Sequence, residues 1–207
     1  MKKLVILGAG GHGKVVADCA LSLGYKDIEF LDDNRVVDNV IGFPVVGSTS
    51  DVNKYDRTEV EFFVAIGNNR VRVDLLNKLI DMGYSVATLV HPKSIVSDFA
   101  QIGEGTLVMP GAVINVGTRI GLGVIINTGV CVDHDCVIDE GVHISPGAVL
   151  SGTVRVGRGT WICSGAVVSN NINIGIGSQI AAGAAVVKNV DDFVLVAGVP
   201  AAVKKKI

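Results

Sequence analysis

The chain has 207 residues, with 18 Lys and Arg against 20 Asp and Glu, for a net charge of −2. That balance excludes the basic face a nucleic-acid protein needs to release counterions, and 49% hydrophobic residues exclude disorder. No apolar run reaches the ~18 residues of a membrane helix, and the four cysteines (Cys19, Cys131, Cys136, Cys163) lack metal-ligand or disulfide-framework spacing, so the expectation is a cytoplasmic protein with free thiols, no metal and no membrane insertion.

Residues 4–7, Leu-Val-Ile-Leu, read as a buried strand. The apolar stretch stops at Gly8, short of the ~7–15 residues of a secretory core. Gly8-Ala9-Gly10-Gly11-His12-Gly13 then opens a helical stretch over 14–23. A second strand, Ile28–Leu31, ends on Asp32-Asp33, and a third, over 61–66, ends on Gly67-Asn68-Asn69. A helix covers 71–82, and a strand over 86–90 runs into His91-Pro92. Strands alternating with helices predict a small Rossmann-like parallel α/β sheet over residues 1–92. Such a sheet binds ligands at the carboxyl ends of its strands, where the loops at 8–13, 32–33 and 67–70 converge. Gly8-x-Gly10-x-x-Gly13, with Asp32 further on, matches a dinucleotide fingerprint, but about 90 residues make only half of a dinucleotide fold. Val15 stands where a P-loop needs Ser or Thr. Two readings stay open: a single nucleotide whose phosphates meet N–H groups at the helix start, or a tight turn without a ligand.

From Val96 to Val186 every sixth residue is Val, Ile or Leu, 16 positions without a slip in phase, the signature of a repeat architecture. Gly stands three residues after the anchor in 11 of the 16 hexads, marking corners that need φ > 0 or have no room for a side chain. Small or β-branched residues follow, among them Thr106, Ala112, Thr118 and Val130. Three such sides close one coil, so residues 93–207 are predicted to form a solenoid of about five coils, ~4.8 Å apart, with the anchors inward. Flat outer faces admit side-by-side packing in a cyclic trimer.

Of the four histidines, His134 stands out between Asp133 and Asp135 in a repeat poor in charge. Other hexads fill its position with Glu104, Pro110, Thr128, Glu140, Arg158 and Lys188, so it faces outward. An outward imidazole suits a general base. Asp135 is either the carboxylate that orients it or a residue tolerated at a left-handed corner, as Asn171 and Asn189 would be. One coil on, Gly152 stacks beside His134, where a bare backbone N–H can meet an oxyanion or merely relieve crowding. His143 lies half a coil away on another face, so only a neighbouring subunit could bring the two together; it reads as a thioester contact or a surface residue. His91 reads as a linker residue. No Cys or Ser is set beside His134 as a nucleophile.

The repeat and the closing Ala197-Gly198-Val199-Pro200-Ala201 resemble the hexapeptide-repeat acyltransferases. The whole chain resembles one branch, the bacterial sugar O- and N-acetyltransferases. The matching segments are Gly8-Ala9-Gly10-Gly11-His12-Gly13, Leu31-Asp32-Asp33, Ala65-Ile66-Gly67-Asn68-Asn69, His91-Pro92, Asn127-Thr128, His134-Asp135-Cys136, His143-Ile144-Ser145 and Gly198-Val199-Pro200. The resemblance implies a left-handed parallel β-helix, a homotrimer with active sites between subunits, and acetyl-CoA as co-substrate in the groove between adjacent helices. It implies His134 as base with Asp135 in the acidic partner's place. A nucleotide sugar would touch Gly10, Gly11, His12, Asp32, Asp33 and Gly67, and the coenzyme would touch His143, Ser164 and Ala182. Arg70 departs from the pattern, standing where a member carries Glu. The expected function is N-acetylation of the 4-amino group of a UDP- or similarly linked 4-amino-4,6-dideoxy sugar for surface glycans, by direct attack. The alternatives are O-acetylation of a sugar such as sialic acid, and a non-catalytic trimer that binds nucleotide sugars.

Overall fold

A computed structural model describes residues 2–34 and 37–207. The first part of the chain runs β1 (Lys3–Leu7), α1 (Gly11–Ser22), β2 (Ile28–Leu31), β3 (Asn39–Val40), β4 (Phe43–Gly47), β5 (Val60–Val64), α2 (Asn69–Asp81) and β6 (Ser85–Val86). Among the described residues these strands form one sheet in the order β3-β4-β2-β1-β5-β6, parallel except for β3 against β4. Central β1 is covered on both faces, which is why it reads as an unbroken apolar run. Leu4 and Ile6 pack with Val16, Ala17 and Ala20 of α1, while Val5 and Leu7 pack with Leu76 and Leu79 of α2. Both helices begin earlier than the sequence reading expects, α1 at Gly11 and α2 at Asn69, where the Asn68 side chain accepts the Val71 N–H at 3.1 Å. The hairpin of β3 and β4 and the 3-10 turn Thr49–Lys54 are unanticipated.

The strand expected over 86–90 is two strands in two sheets. Ser85–Val86 pairs with β5, whereas Leu89–Val90 pairs with Leu107–Val108. The first strand of the solenoid therefore lies just before residue 92. From there a left-handed parallel β-helix winds through two-residue strands on three faces, each paired with the strand one coil on, as Val113–Ile114 is with Cys131–Val132. Fourteen of the anchors, from Val108 to Val186, are buried, and only Val96 and Ile102 at the open first coil are half-buried. All 11 corner glycines have φ between 60° and 74°, and Asp135, Thr153 and Asn171 take the same left-handed conformation at their corners. Asn189, expected to do likewise, does not. Buried corner hydroxyls find carbonyls in the next coil: Thr118 Oγ1 donates to Asp133 O at 2.8 Å and Thr160 Oγ1 to Gly175 O at 2.7 Å. The strand Val194–Ala197 and its antiparallel partner Ala202–Lys206 end the first face.

The two parts share a core. Leu89, Leu107 and Ile125, pointing out from the first face of the β-helix, are buried in the cluster that contains α1. Helix α2 lies along one corner of the prism, on residues without side chains. A Cβ on Gly123 would collide with Leu76, and one on Gly141 would meet Val73 at 2.5 Å. The corner glycines thus serve close approach as well as turning.

Candidate active site

His134 sits on the corner between the second face (Cys131–Val132) and the third (Val137–Ile138), with its side chain 52% exposed. Its Nδ1 lies 2.9 Å from Asp135 Oδ2. A carboxylate only accepts, so the pair places the proton on Nδ1 and leaves the lone pair on Nε2. The bond to Asp135, with the charges of Asp133 and Asp135, raises the imidazole pKa above its ordinary value despite some desolvation. Asp135 holds φ 57°, and its carboxylate occupies the space over Gly117 that a side chain there would fill. On the other side, a methyl group on Gly152 would lie 2.5 Å from His134 Nε2. Each half of the pair therefore rests on a glycine of a neighbouring coil. Gly152 is buried, and its N–H has no hydrogen-bond partner among the described residues, an unusual state for a buried amide. The thiol two residues on is inert: Cys136 is buried, its pKa pushed up to about 11 by burial, and its Sγ contacts Ser151 O at 3.3 Å.

At the sheet end of β1, the glycines of the first loop divide by function. A Cβ on Gly13 would strike the Gly8 carbonyl, and Gly8 needs φ 110°, so these two build the turn. Gly10 and Gly11 have nothing within 4 Å of a built Cβ. They line a cavity of about 350 Å³ with Lys14, Asp32 and Asn39. Asp32 braces this loop: its oxygens accept the N–H of Ala9 at 2.6 Å and of Asn34 at 2.7 Å. Asp33 accepts the backbone and hydroxyl of Thr49 at 2.8 and 2.9 Å. Gly67 lines a second cleft of about 570 Å³, where the start of α2 faces His143 and Trp161.

His143 is half-buried, its ring parallel to Trp161 at 5.8 Å, with the indole N–H donating to Ser145 Oγ at 2.8 Å. Burial, with Arg72 and His12 nearby, lowers its pKa to about 4. His12 is lowered to about 4 as well, by burial and then Arg72, and its buried Nε2 has no hydrogen-bond partner among the described residues. Both rings are neutral at physiological pH. Arg72, missed by the sequence reading, is fully buried and has no carboxylate partner among the described residues. Its Nε donates to Gly123 O at 2.8 Å, Nη2 to Gly141 O at 2.9 Å and Nη1 to Ile66 O at 3.0 Å. Asn69 Nδ2 donates to Gly159 O at 3.0 Å, and Asn69 Oδ1 accepts from Arg72. A sequence signal existed: Arg72, Leu76 and Leu79 fall on the one buried stripe of α2. His91, read as a linker residue, is buried, and its Nδ1 accepts the Lys93 N–H. Arg70 is exposed and 3.9 Å from Asp74.

The structure brings Gly10, Gly11 and Asp32 to one cavity and Gly67 with His143 to another. His134, Asp135 and Gly152 share the corner on one side of the second face; Ser164 and Ala182, both exposed, share the corner on its other side. A family model, the PglD N-terminal domain, matches residues 3–79. The UDP-N-acetylbacillosamine N-acetyltransferase of Bacillus subtilis (strain 168) is 39% identical over 108 residues, 51% of this chain; the chain spans about half (50%) of that relative's length. The acetyltransferase domain of PglB from Neisseria gonorrhoeae FA1090, in complex with acetyl coenzyme A, is 44% identical with a TM-score of 0.95, over 100% of this chain and 99% of that one. PerB from Caulobacter crescentus, in complex with CoA and GDP-perosamine, is 38% identical with a TM-score of 0.94, over 99% and 98%.

Proposed function

This chain belongs to the hexapeptide-repeat sugar acetyltransferases, and from that membership we propose that it is an acetyl-CoA-dependent N-acetyltransferase. Its proposed acceptor is the 4-amino group of a nucleotide-linked 4-amino-4,6-dideoxy sugar, and its proposed place is the cytoplasm, where acetyl-CoA is made. The observation that carries the reading is the His134–Asp135 pair on an exposed corner, with Nε2 free and directed over a glycine whose N–H is unpaired. The relatives fit it: one is named for a UDP-linked sugar, another holds CoA with GDP-perosamine.

In this reading Gly10, Gly11, His12 and Gly67 hold the nucleotide sugar. The open Cβ positions of Gly10, Gly11 and Gly67 support that role, while Asp32 and Asp33 brace the loops and turn their remaining lone pairs to the ligand. Acetyl-CoA, when bound, supplies a thioester carbonyl to the amine. Neutral His143 and the small residues Ser164 and Ala182 suit the uncharged arm of the coenzyme. As the amine attacks, His134 Nε2 takes its proton, Asp135 steadies the imidazolium, and the Gly152 N–H meets the charge developing on the carbonyl oxygen. The imidazolium then returns the proton to the departing thiolate, so the products are the amide and free coenzyme A thiol.

The second face supports a trimer with shared sites. Its outward residues are apolar: Ile95, Cys131, Val149 and Val167 are exposed, and Val113 and Ala185 are half-buried. The His134 corner borders this face on one side and the Ser164 corner borders it on the other. Closing a ring through it sets one subunit's base beside the next subunit's coenzyme residues.

The test is thiol release from acetyl-CoA against UDP-, dTDP- and GDP-linked 4-amino sugars, with CMP-sialic acid and free sialic acid beside them. Release with an amino sugar, reduced about 10²–10⁴-fold by His134→Ala, is the expected result. Release with a sialic acid alone transfers the function to O-acetylation. Loss of under tenfold in His134→Ala removes it as the base.

A further inference from the structure

Two carboxylates flank His134, and only one of them touches its ring. Asp133 Oδ1 accepts the His134 backbone N–H at 2.8 Å and, at the same distance, the side-chain amide of Asn115 one coil back. The Asp133 carbonyl is held by Thr118 Oγ1 at 2.8 Å. Asp135 is left to take Nδ1. Without the amide of Asn115, a half-exposed aspartate one residue from an imidazole is free to swing and compete for it. Competition would give His134 two orientations, of which one leaves Nε2 over Gly152.

We propose that Asn115 is a positioning residue of this site, which holds Asp133 against the backbone of His134 so that Asp135 alone orients the imidazole. The proposal rests on the reading of His134 as the base. Asn115 is exposed and lines neither cavity described above, so its loss leaves the contacts made in those cavities and the core intact.

The experiment is steady-state kinetics on the full chain with the amino sugar that supports thiol release, for four variants. Asn115→Ala is expected to lower kcat about tenfold, the scale of coupling within one hydrogen-bond network, with KM for both substrates within about twofold of the wild type. Asn115→Asp sets carboxylate against carboxylate and is expected to lose at least as much. Adding Asp133→Asn to it rebuilds the bond in reverse: the new amide donates to residue 115, and its oxygen still accepts the His134 N–H. This swap is expected to regain most of the lost kcat, which a general loosening of the corner would not do. An unchanged kcat in Asn115→Ala, or a swap no faster than Asn115→Asp alone, overturns the proposal. His134→Ala, run in parallel, separates the two readings. If it is inactive while Asn115→Ala is normal, only the positioning role falls; if it is fully active, the base assignment falls and takes the positioning role with it.

Discussion

At residue scale, the mechanism proposed above requires one imidazole to be basic while two others stay neutral. As the proposed base, His134 would act only when deprotonated, and its bond to Asp135 raises its pKa. The acid limb of kcat/KM is therefore expected above the ordinary histidine value of about 6.5. Asp135→Asn removes the main cause, so the limb should move to lower pH. The plateau should fall on the order of 10², because an amide can donate to Nδ1 and put the ring proton on the wrong nitrogen. A pH profile of both proteins between pH 5 and 9 checks this; a limb that stays in place would mean another group controls it. His12 and His143, with pKa values of about 4, are already neutral across that range and add no second limb. The dyad was legible in the sequence because charge is rare in this repeat and because the period places Gly152 beside His134. The sequence also put Asp135 forward as the partner, and its side chain lies on Nδ1; what the sequence did not reveal is that the Asn115 amide occupies Asp133.

At the scale of elements, α2 is the joint between the sheet and the β-helix. Arg72 supplies the joint with a buried cation whose partners are carbonyl dipoles, and burial brings its pKa down to about 10. Arg72→Met would leave the Gly123 and Gly141 carbonyls without donors, at about 1–3 kcal/mol each, partly offset by removing a desolvated charge. The expected net loss is about 2 kcal/mol, and Arg72→Lys should fall between, keeping the charge but not the planar fork. Denaturant unfolding of the three proteins measures it, and a Met variant as stable as the wild type would contradict it. The joint escaped sequence reading because backbone carbonyls carry no side-chain signature and Arg72 is far in sequence from Gly123 and Gly141. The repeat was plain for the opposite reason: each anchor repeats one environment at one spacing. Between Asp32 and Val60 neither period holds for long, so β3, β4 and the 3-10 turn went unseen. Leu89–Val90, in phase with Val96, was absorbed into the preceding strand because both stretches are apolar.

At the scale of the molecule, the proposed trimer with a site shared between neighbours makes a quantitative prediction. His134→Ala and His143→Ala are each expected to be strongly impaired alone. Unfolded together in equal amounts and refolded as mixed trimers, they should regain roughly a quarter of wild-type activity, because one ordered neighbour pair in four combines two intact histidines. No recovery, with mixed trimers present, would place both residues in a site built by one chain. The joint at α2 also limits how this molecule can grow. A solenoid lengthens by whole coils with little effect on its core. Here Arg72 and Asn69 grip the carbonyls of Gly123, Gly141 and Gly159, one from each of three successive coils. A coil inserted among those three would pull a rung out of reach of a helix whose own length is fixed. One added after them would leave every rung in place. Insertions or losses of whole repeats in related chains should therefore gather on the far side of Gly159, leaving the gripped coils constant in number.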